Sequence, residues 1–399
     1  GWLESLFGWI SATATLLIPE GLLQSLVVSG IIDGVGGVMG FVPLIAIMFM
    51  MISFLEDSGY MARVAYMLDR VLRIFGLHGY SAMPFIISGG IAGGCAVPGV
   101  MATRTLRSPK EKLATLLTAP FMPCGAKLPV FLLLIAAFFT EYKAQMMFSI
   151  TLLAWIMALL VAKLVRSTVI RGESTPFIME LPPYRLPTLR GVFIHTWERT
   201  WQYIKKAGTV ILAVSILLWA AMTFPGLPEQ QVNQFETERL AALSTIEDRA
   251  ERQQTLIEIN NRQGQTALRY SLAGKIGTSL EPLSQLAGFD WRTNIALVGG
   301  FAAKEVIVST FGTAYSLGAV DPDAADTLSS RIAADPSWNK FTALAMIVFV
   351  LLYAPCVVTV VAIAKESTWS WAIFATVFNT VLGFGMAVAI FQIGTKLFS

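Results

Sequence analysis

Charged residues are scarce in this sequence. Only 14% of its 399 residues are Asp, Glu, Lys or Arg, whereas 55% are hydrophobic. A soluble domain carries about a quarter of charged residues, so this composition excludes an ordinary soluble enzyme. The long apolar runs predict instead an all-α integral membrane protein, because a helix satisfies its own backbone hydrogen bonds inside a bilayer.

The sequence motifs of nucleotide hydrolysis and of zinc proteases are also missing. No G-x-x-x-x-G-K-S/T phosphate-binding loop occurs, so we expect this chain itself neither to bind nor to hydrolyse GTP. No H-E-x-x-H motif occurs, and His78 and His195 are the only histidines. We expect neither enzyme activity nor a permanently bound cofactor, and we expect no nucleic-acid partner.

Cysteine is rare as well, and each of the three cysteines stands close to a proline. The pairs are Cys95 with Pro98, Cys124 with Pro123, and Cys356 with Pro355. A proline inside a helix leaves the carbonyl four residues earlier without its partner. In a membrane such a carbonyl must be buried in protein or face a wet cavity, so each cysteine is predicted to stand beside a broken helix.

Two interpretations of the cysteines remain open from the residues alone. Cysteine is a common small hydrophobe at helix contacts, which is the structural interpretation. Sulfur together with freed carbonyls is also a plausible ligand set for a soft or borderline divalent metal, and transporters place ion sites at broken helices. In the second interpretation we expect Pro98 to expose the Gly94 carbonyl to a polar path, and Pro129 to free the Gly125 carbonyl.

Eight stretches are apolar enough to span a bilayer, for which about 20 residues are needed. They are residues 37–55, 82–102, 113–139, 144–165, 207–224, 293–318, 341–364 and 370–396. The connectors 103–112 and 163–206 are rich in Lys and Arg, so the positive-inside rule places them and both termini in the cytoplasm.

The pattern divides the chain into four parts. Residues 1–35 are predicted to form an interfacial amphipathic segment. Residues 36–165 form a first helical unit, 166–206 a basic cytoplasmic connector and 207–399 a second unit. Within the second unit, 225–292 is charged with Leu and Ile at helical intervals, which predicts a helical insertion outside the membrane.

A few charged residues stand in apolar surroundings. Glu56 and Asp57 end the first strong span, and Lys304 and Glu305 are predicted to lie inside an otherwise apolar helix with Ser309 one turn later. An unpaired charge in a membrane is costly, so such residues are functional candidates unless they pair or reach the interface. The candidate metal ligands are therefore Cys95, Cys124, Cys356, Glu305, Ser309, Met101, Glu56 and Asp57.

Five segments carry a family resemblance. "GGCAVPGVMATRTL", "APFMPCGAKLPVF", "RGESTPFIMELPPYRLP", "FAAKEV" and "YAPCVV" occur in that order. They resemble the membrane region of the bacterial ferrous-iron transport protein B family. The resemblance implies uptake of Fe²⁺ across the bacterial inner membrane through two Gate-like, inverted repeats, with Cys95, Cys124 and Cys356 carrying the ion.

The same resemblance implies partners besides the lipid bilayer. These are a GTP-binding domain in cis or in trans, through which alone GTP would act, a small cytoplasmic accessory protein, and further copies in a homo-oligomer. The alternatives are a Gate-type transporter of another divalent metal or of an organic solute such as a nucleoside, and a membrane assembly protein that transports nothing.

Overall fold

The chain is described by a computed structural model over residues 2–19, 21–90, 94–106, 108–170, 183–245, 249–315 and 325–398. Every regular element in these ranges is helical, which confirms the all-α prediction. The chain divides into two compact units. The first comprises residues 1–128, 142–213 and 347–386, and the second comprises residues 129–141, 214–346 and 387–399.

The α-helices range in length from 4 residues in α2 to 35 residues in α10. Those of the first 170 residues are α1 (Trp2–Leu17), α2 (Leu22–Ser25), α3 (Asp33–Asp57), α4 (Tyr60–Ile74), α5 (Ala82–Phe85), α6 (Ala96–Ala102), α7 (Pro109–Thr118), α8 (Leu128–Phe138) and α9 (Lys143–Thr168). The others are α10 (Leu189–Thr223), α11 (Glu229–Thr245), α12 (Arg249–Tyr270), α13 (Leu272–Ser284), α14 (Trp291–Ala302), α15 (Val306–Ala314), α16 (Ala325–Ala334), α17 (Lys340–Leu352), α18 (Val357–Glu366) and α19 (Trp369–Phe398).

Four helical stretches among the described residues are long and apolar enough to cross a membrane. They are Pro109–Phe138, Thr140–Thr168, Lys340–Glu366 and Trp369–Leu397. A fifth is added if Val42–Asp57 and Tyr60–Ile74, which meet at an angle of 83°, count as one span. The predicted number of eight spans is not confirmed. Of the three remaining stretches, 82–102 and 293–318 are divided into short helices, and 207–224 is the apolar end of α10.

Four of the helical stretches are interrupted. In the described residues the interruptions lie at the kink of Gly89 and residues 94–95, then at 122–124, 303–305 and 353–356. Three of them contain the cysteines, as the sequence predicts. Pro123 and Pro355 lie inside their breaks, whereas Pro98 lies in the first turn of α6. The fourth corrects a prediction: Lys304 and Glu305 do not lie inside a continuous helix, because α14 ends at Ala302 and α15 begins at Val306. Ala303 there has an extended backbone, and neither proline nor glycine marks this break in the sequence.

Two of the predicted regions contain helices. The polar region 225–292 contains α11 and α12, and the N-terminal segment 1–35 contains α1. In the second unit α11 packs against α12, where Arg239 Nη2 donates to Asn260 Oδ1 at 2.6 Å. In the first unit α1 packs along α3 and leaves Trp9 exposed. That α1 lies at the membrane interface, and that 225–292 lies outside it, stay predictions. Residues 171–182 of the predicted basic connector lie outside the described part of the chain.

Candidate functional site

Each cysteine stands at the start of a helix, directly after a break. Cys95 precedes α6 with φ −132° and ψ 134°, and Cys356 precedes α18 with φ −61° and ψ 154°. Cys124 is likewise extended, with φ −70° and ψ 159°, and leads through a 3-10 turn into α8. None of the three cysteines forms a disulfide, and all three are half-buried. A helix start offers unpaired N–H groups and the positive end of a dipole, surroundings that suit an anionic ligand atom.

Backbone contacts join the Cys95 break to the Cys124 break. The Gly125 N–H donates to the Gly94 carbonyl at 2.9 Å. Gly89, at φ 132°, lies so close to the Pro123 carbonyl that no Cβ fits between them. Gly94 and Gly125, which share the hydrogen bond, are the direct neighbours of Cys95 and Cys124. The two breaks therefore form one packed assembly of irregular backbone.

These contacts correct two predictions about freed carbonyls. The Gly94 carbonyl does not open onto a polar path, because it accepts the hydrogen bond from Gly125. The Gly125 carbonyl is also occupied, since it accepts from the Leu128 N–H. A buried carbonyl without a partner is costly, and here one break supplies the partners that the other lacks. Sequence spacing reveals the freed groups but not the break that pairs with them.

Lys127 joins the Cys124 break to the Cys356 break. Its side chain is only 3% exposed, and Nζ donates to the carbonyls of Pro120 at 3.1 Å, Met122 at 3.4 Å and Leu351 at 2.8 Å. Leu351 stands four residues before Pro355, so Lys127 binds the carbonyl whose helical donor this proline removes. Lys127 is not among the predicted ligands. It could have been recognised in the sequence as the single lysine of the apolar stretch 113–139.

The helices that follow Cys95 and Cys356 pack against each other. Val97 of α6 and Val358 of α18 form a small buried cluster. Cys95, Met101 and Cys356 all pack against this cluster. The Cys356 sulfur also lies 3.1 Å from Thr359 Oγ1. The structure thus brings three of the predicted ligands around one apolar contact between α6 and α18.

The other ends of α6 and α18 are held by charge. After α6, Arg104 Nε donates to Glu366 Oε1 at 2.8 Å, and Lys112 Nζ lies 3.5 Å from Glu366 Oε2. The Glu366 side chain is nearly buried, at 5% exposure, whereas Arg104 is exposed. The hydrogen bond to Glu366 raises the pKa of Arg104 above its ordinary value, so Arg104 stays charged throughout the physiological pH range.

No closed metal cage is present in the described ranges. Nowhere in them do three or more His, Cys, Asp or Glu side chains come together in a group that could hold a metal ion. The three sulfurs belong to one compact unit, but they do not form a ready-made three-ligand site. An ion held here would need backbone or side-chain oxygens in addition to sulfur.

The acidic candidates lie elsewhere. Glu56 and Asp57 are exposed at the end of α3, where Glu56 Oε2 pairs with Arg199 Nη2 at 2.9 Å. Glu305 and Ser309 belong to the second unit. Glu305 is half-buried in the break before α15, and the Ser309 hydroxyl donates to the Val306 carbonyl at 3.1 Å.

Comparison with known sequences gives two family matches. The family described as "Nucleoside recognition", or Gate, matches residues 38–138 and 204–370, and "Ferrous iron transport protein B C terminus" matches residues 147–199. No solved structure matches the chain.

Several curated proteins are similar over nearly the whole chain. A fusion of Fe(2+) transport protein A with the Fe(2+) transporter FeoB from Porphyromonas gingivalis is 38% identical over 405 residues, which cover 100% of this chain and 47% of that protein. The Fe(2+) transporter FeoB of Methanocaldococcus jannaschii is 35% identical, with 99% and 53% covered. That of Helicobacter pylori is 36% identical, with 98% and 60% covered. The chain thus spans about half the length of the relatives that it matches.

Proposed function

We infer that this chain, which belongs to the Gate-containing membrane region of the ferrous iron transport protein B family, carries Fe²⁺ across the bacterial inner membrane. One observation carries the proposal. Three half-buried cysteines outside any disulfide stand at broken helices of a single compact unit, and the breaks are tied to one another by hydrogen bonds.

The chemistry of the site suits Fe²⁺. This ion accepts thiolate sulfur together with oxygen and nitrogen ligands, and its affinity for them is moderate among first-row metals. A transporter must bind its ion strongly enough to replace part of the hydration shell, yet weakly enough to release it. Two or three ligands at a time meet this requirement better than a closed four-sulfur cage. We propose Cys95 and Cys356 as the ligands, together with Cys124. Gly125, next to Cys124, is hydrogen-bonded to Gly94, next to Cys95.

Other cargo is less consistent with these residues. A nucleoside needs several polar side chains that match its hydrogen-bonding groups, whereas Val97, Val358 and Met101 surround the cysteines. Another divalent metal remains the closest alternative, because Mn²⁺, Co²⁺ and Zn²⁺ accept the same ligand types. Glu305, Ser309, Glu56 and Asp57 are proposed as further ligands of the transported ion.

We propose the following arrangement in the membrane. Both termini and the basic connector 166–206 face the cytoplasm, residues 1–35 lie at the interface, and 225–292 lie on the opposite side. Residues 36–165 and 207–399 form the two Gate-like units, which we take as inverted repeats.

We also propose the partners. The connector 166–206 is the docking surface for a GTP-binding domain, in cis or in trans, which supplies the only dependence on GTP. The fusion of Fe(2+) transport protein A with a transporter in Porphyromonas gingivalis supports a small cytoplasmic accessory protein as a second partner. The chain works as a homo-oligomer in the bilayer.

Downhill uptake by liposomes that contain the purified chain tests the proposal, because a gradient removes the need for an energy source. We expect radiolabelled Fe²⁺ to accumulate above the level of empty liposomes, and the double variant Cys95→Ser/Cys356→Ser to lose this uptake. Radiolabelled Mn²⁺ and uridine are measured in parallel. Uptake of uridine without Fe²⁺, or Fe²⁺ uptake that does not depend on either cysteine, would overturn the proposal.

A further inference from the structure

An asparagine inside the last long helix has no partner for its side chain. Asn379 lies in α19, and its side chain is 0% exposed. Neither its amide nitrogen nor its amide oxygen has a hydrogen-bond partner among the described residues. A buried amide without partners is costly, most of all in a helix that is apolar enough to cross a membrane. Such a residue needs a partner that the described part of the chain does not supply.

The surroundings of Asn379 follow from a glycine one turn further along α19. Gly383 lies on the same face, and a Cβ at this position would lie 3.1 Å from the Tyr353 nitrogen and 3.5 Å from the Leu352 carbonyl carbon. This face of α19 therefore touches the backbone at the end of α17, where the break before Cys356 begins. Both segments belong to the first unit.

The connection between the helices then indicates where Asn379 stands relative to the Cys356 break. Only residues 367 and 368 separate α18 from α19, and so short a connection is typical of an antiparallel helix pair. From Gly383 back to Asn379, α19 advances about 6 Å. At about 3.3 Å per residue of extended backbone, this distance corresponds to two residues, from Tyr353 to Pro355, the residue before Cys356.

We propose that Asn379 is a further ligand of the ion path, whose amide oxygen binds the divalent cation, or the water that it carries, as the cation passes Cys356. This inference rests on the proposed function. Sulfur alone leaves the coordination sphere of such an ion incomplete, and the described residues provide no third cysteine or carboxylate at this point. A neutral amide oxygen adds a ligand without adding the negative charge that would hold the ion too firmly.

The opposite responses of transport and stability test this role. Asn379→Leu keeps the volume and removes both polar groups. We expect Fe²⁺ uptake to fall about tenfold, while the midpoint of thermal unfolding in detergent stays the same or rises, because an unpartnered buried amide has been removed. Thr380→Val is the matched control: this hydroxyl, on the same helix, is already bonded to the Thr376 carbonyl at 2.7 Å, so uptake should remain within about twofold.

A second variant gives a readout of binding that does not depend on uptake. Asn379→Asp keeps the oxygen and adds a charge, so the purified protein should bind Mn²⁺, measured by electron paramagnetic resonance titration, about tenfold more tightly. Unchanged Mn²⁺ affinity, wild-type uptake by Asn379→Leu, or a lowered midpoint of unfolding in Asn379→Leu would each overturn the inference. If the unmodified chain carries no Fe²⁺ at all, the proposed function fails instead. If Cys356→Ser impairs uptake and Asn379→Leu does not, only this inference fails.

Discussion

Lys127 places a buried amino group beside the proposed path of a cation. Its Nζ binds three backbone carbonyls, so the side chain works as a clamp between two breaks. Methionine has a similar length but no donor. Lys127→Met should therefore leave three buried carbonyls unpartnered and lower the free energy of unfolding by about 3–5 kcal/mol. Thermal or denaturant unfolding in detergent measures the change.

Lys110→Met provides the control for this variant. Lys110 is an exposed lysine of α7, in the same membrane-capable stretch as Lys127. Its replacement should change the free energy of unfolding by less than about 0.5 kcal/mol. Equal stability of the two variants would mean that the three contacts of Lys127 contribute nothing to the fold.

The three cysteines should not contribute equally to transport. Cys95 and Cys356 pack against the same cluster between α6 and α18, whereas Cys124 stands at the neighbouring break. Single Cys→Ser variants should reduce Fe²⁺ uptake, most strongly at Cys95 and Cys356, with nearly normal amounts of protein in the membrane. If Cys124→Ser is the most impaired, the ion does not follow the contact between α6 and α18.

Glu305 should matter for transport more than for stability. It is half-buried in a break among apolar residues, and a carboxylate is retained in such a place at a cost in free energy. Glu305→Gln keeps the shape and removes the charge, so uptake should fall severalfold at equal abundance. Wild-type uptake by this variant would assign a structural role to Glu305.

The interrupted helices show how far sequence reasoning reaches at the scale of elements. Pro123 and Pro355 lie inside two of the four breaks, and Pro98 lies in the first turn of the helix that follows a third, where a proline is tolerated. The break at 303–305 has no such mark, and only the folded chain reveals it. The sequence also does not reveal which groups bind the backbone carbonyls at the breaks. Gly94 with Gly125, and Leu351 with Lys127, are contacts between segments that only tertiary structure brings together.

The close approach of the Cys95 break and the Cys124 break requires a glycine at position 89, and this requirement can be tested. Its φ of 132° is rarely adopted by other residues, and a Cβ would collide with the Pro123 carbonyl. Gly89→Ala should lower the unfolding midpoint strongly, by about 3 kcal/mol or more in free energy. Gly385→Ala in α19, where nothing lies within 4 Å, should be neutral or slightly stabilising. Equal midpoints for both variants would contradict the packed arrangement of the breaks.

At the scale of the whole molecule, composition predicts the membrane class but not the number of spans. Hydropathy detects rods such as α9 and α19, which are continuous. It fails for 82–102 and 293–318, because these stretches are apolar and yet divided into helices too short to cross a bilayer by themselves. The hydropathy of a stretch does not reveal such a division, because the division depends on contacts between segments that are distant in the sequence.

The proposed topology is tested by labelling. Basic residues in 103–112 and 163–206 place these connectors in the cytoplasm. A cysteine introduced near Gln253 should therefore react with a membrane-impermeant maleimide in sealed cells. One introduced near Glu180, which lies outside the described residues, should react only after permeabilisation. The reverse labelling pattern would contradict the proposed orientation of the chain in the membrane.

The three cysteines differ in the kind of tether that holds them. A backbone hydrogen bond between Gly94 and Gly125 links the neighbours of Cys95 and Cys124, so this pair keeps a nearly fixed spacing. The Cys356 break is tied to Cys124 through the side chain of Lys127, whose four rotatable bonds let it follow its carbonyl as that carbonyl moves. On the proposed path, two sulfurs therefore stand on one hydrogen-bonded backbone frame, and the third is joined to this frame through a side chain. We expect any widening of the path to take place between Cys124 and Cys356, where a side chain and not the backbone makes the link.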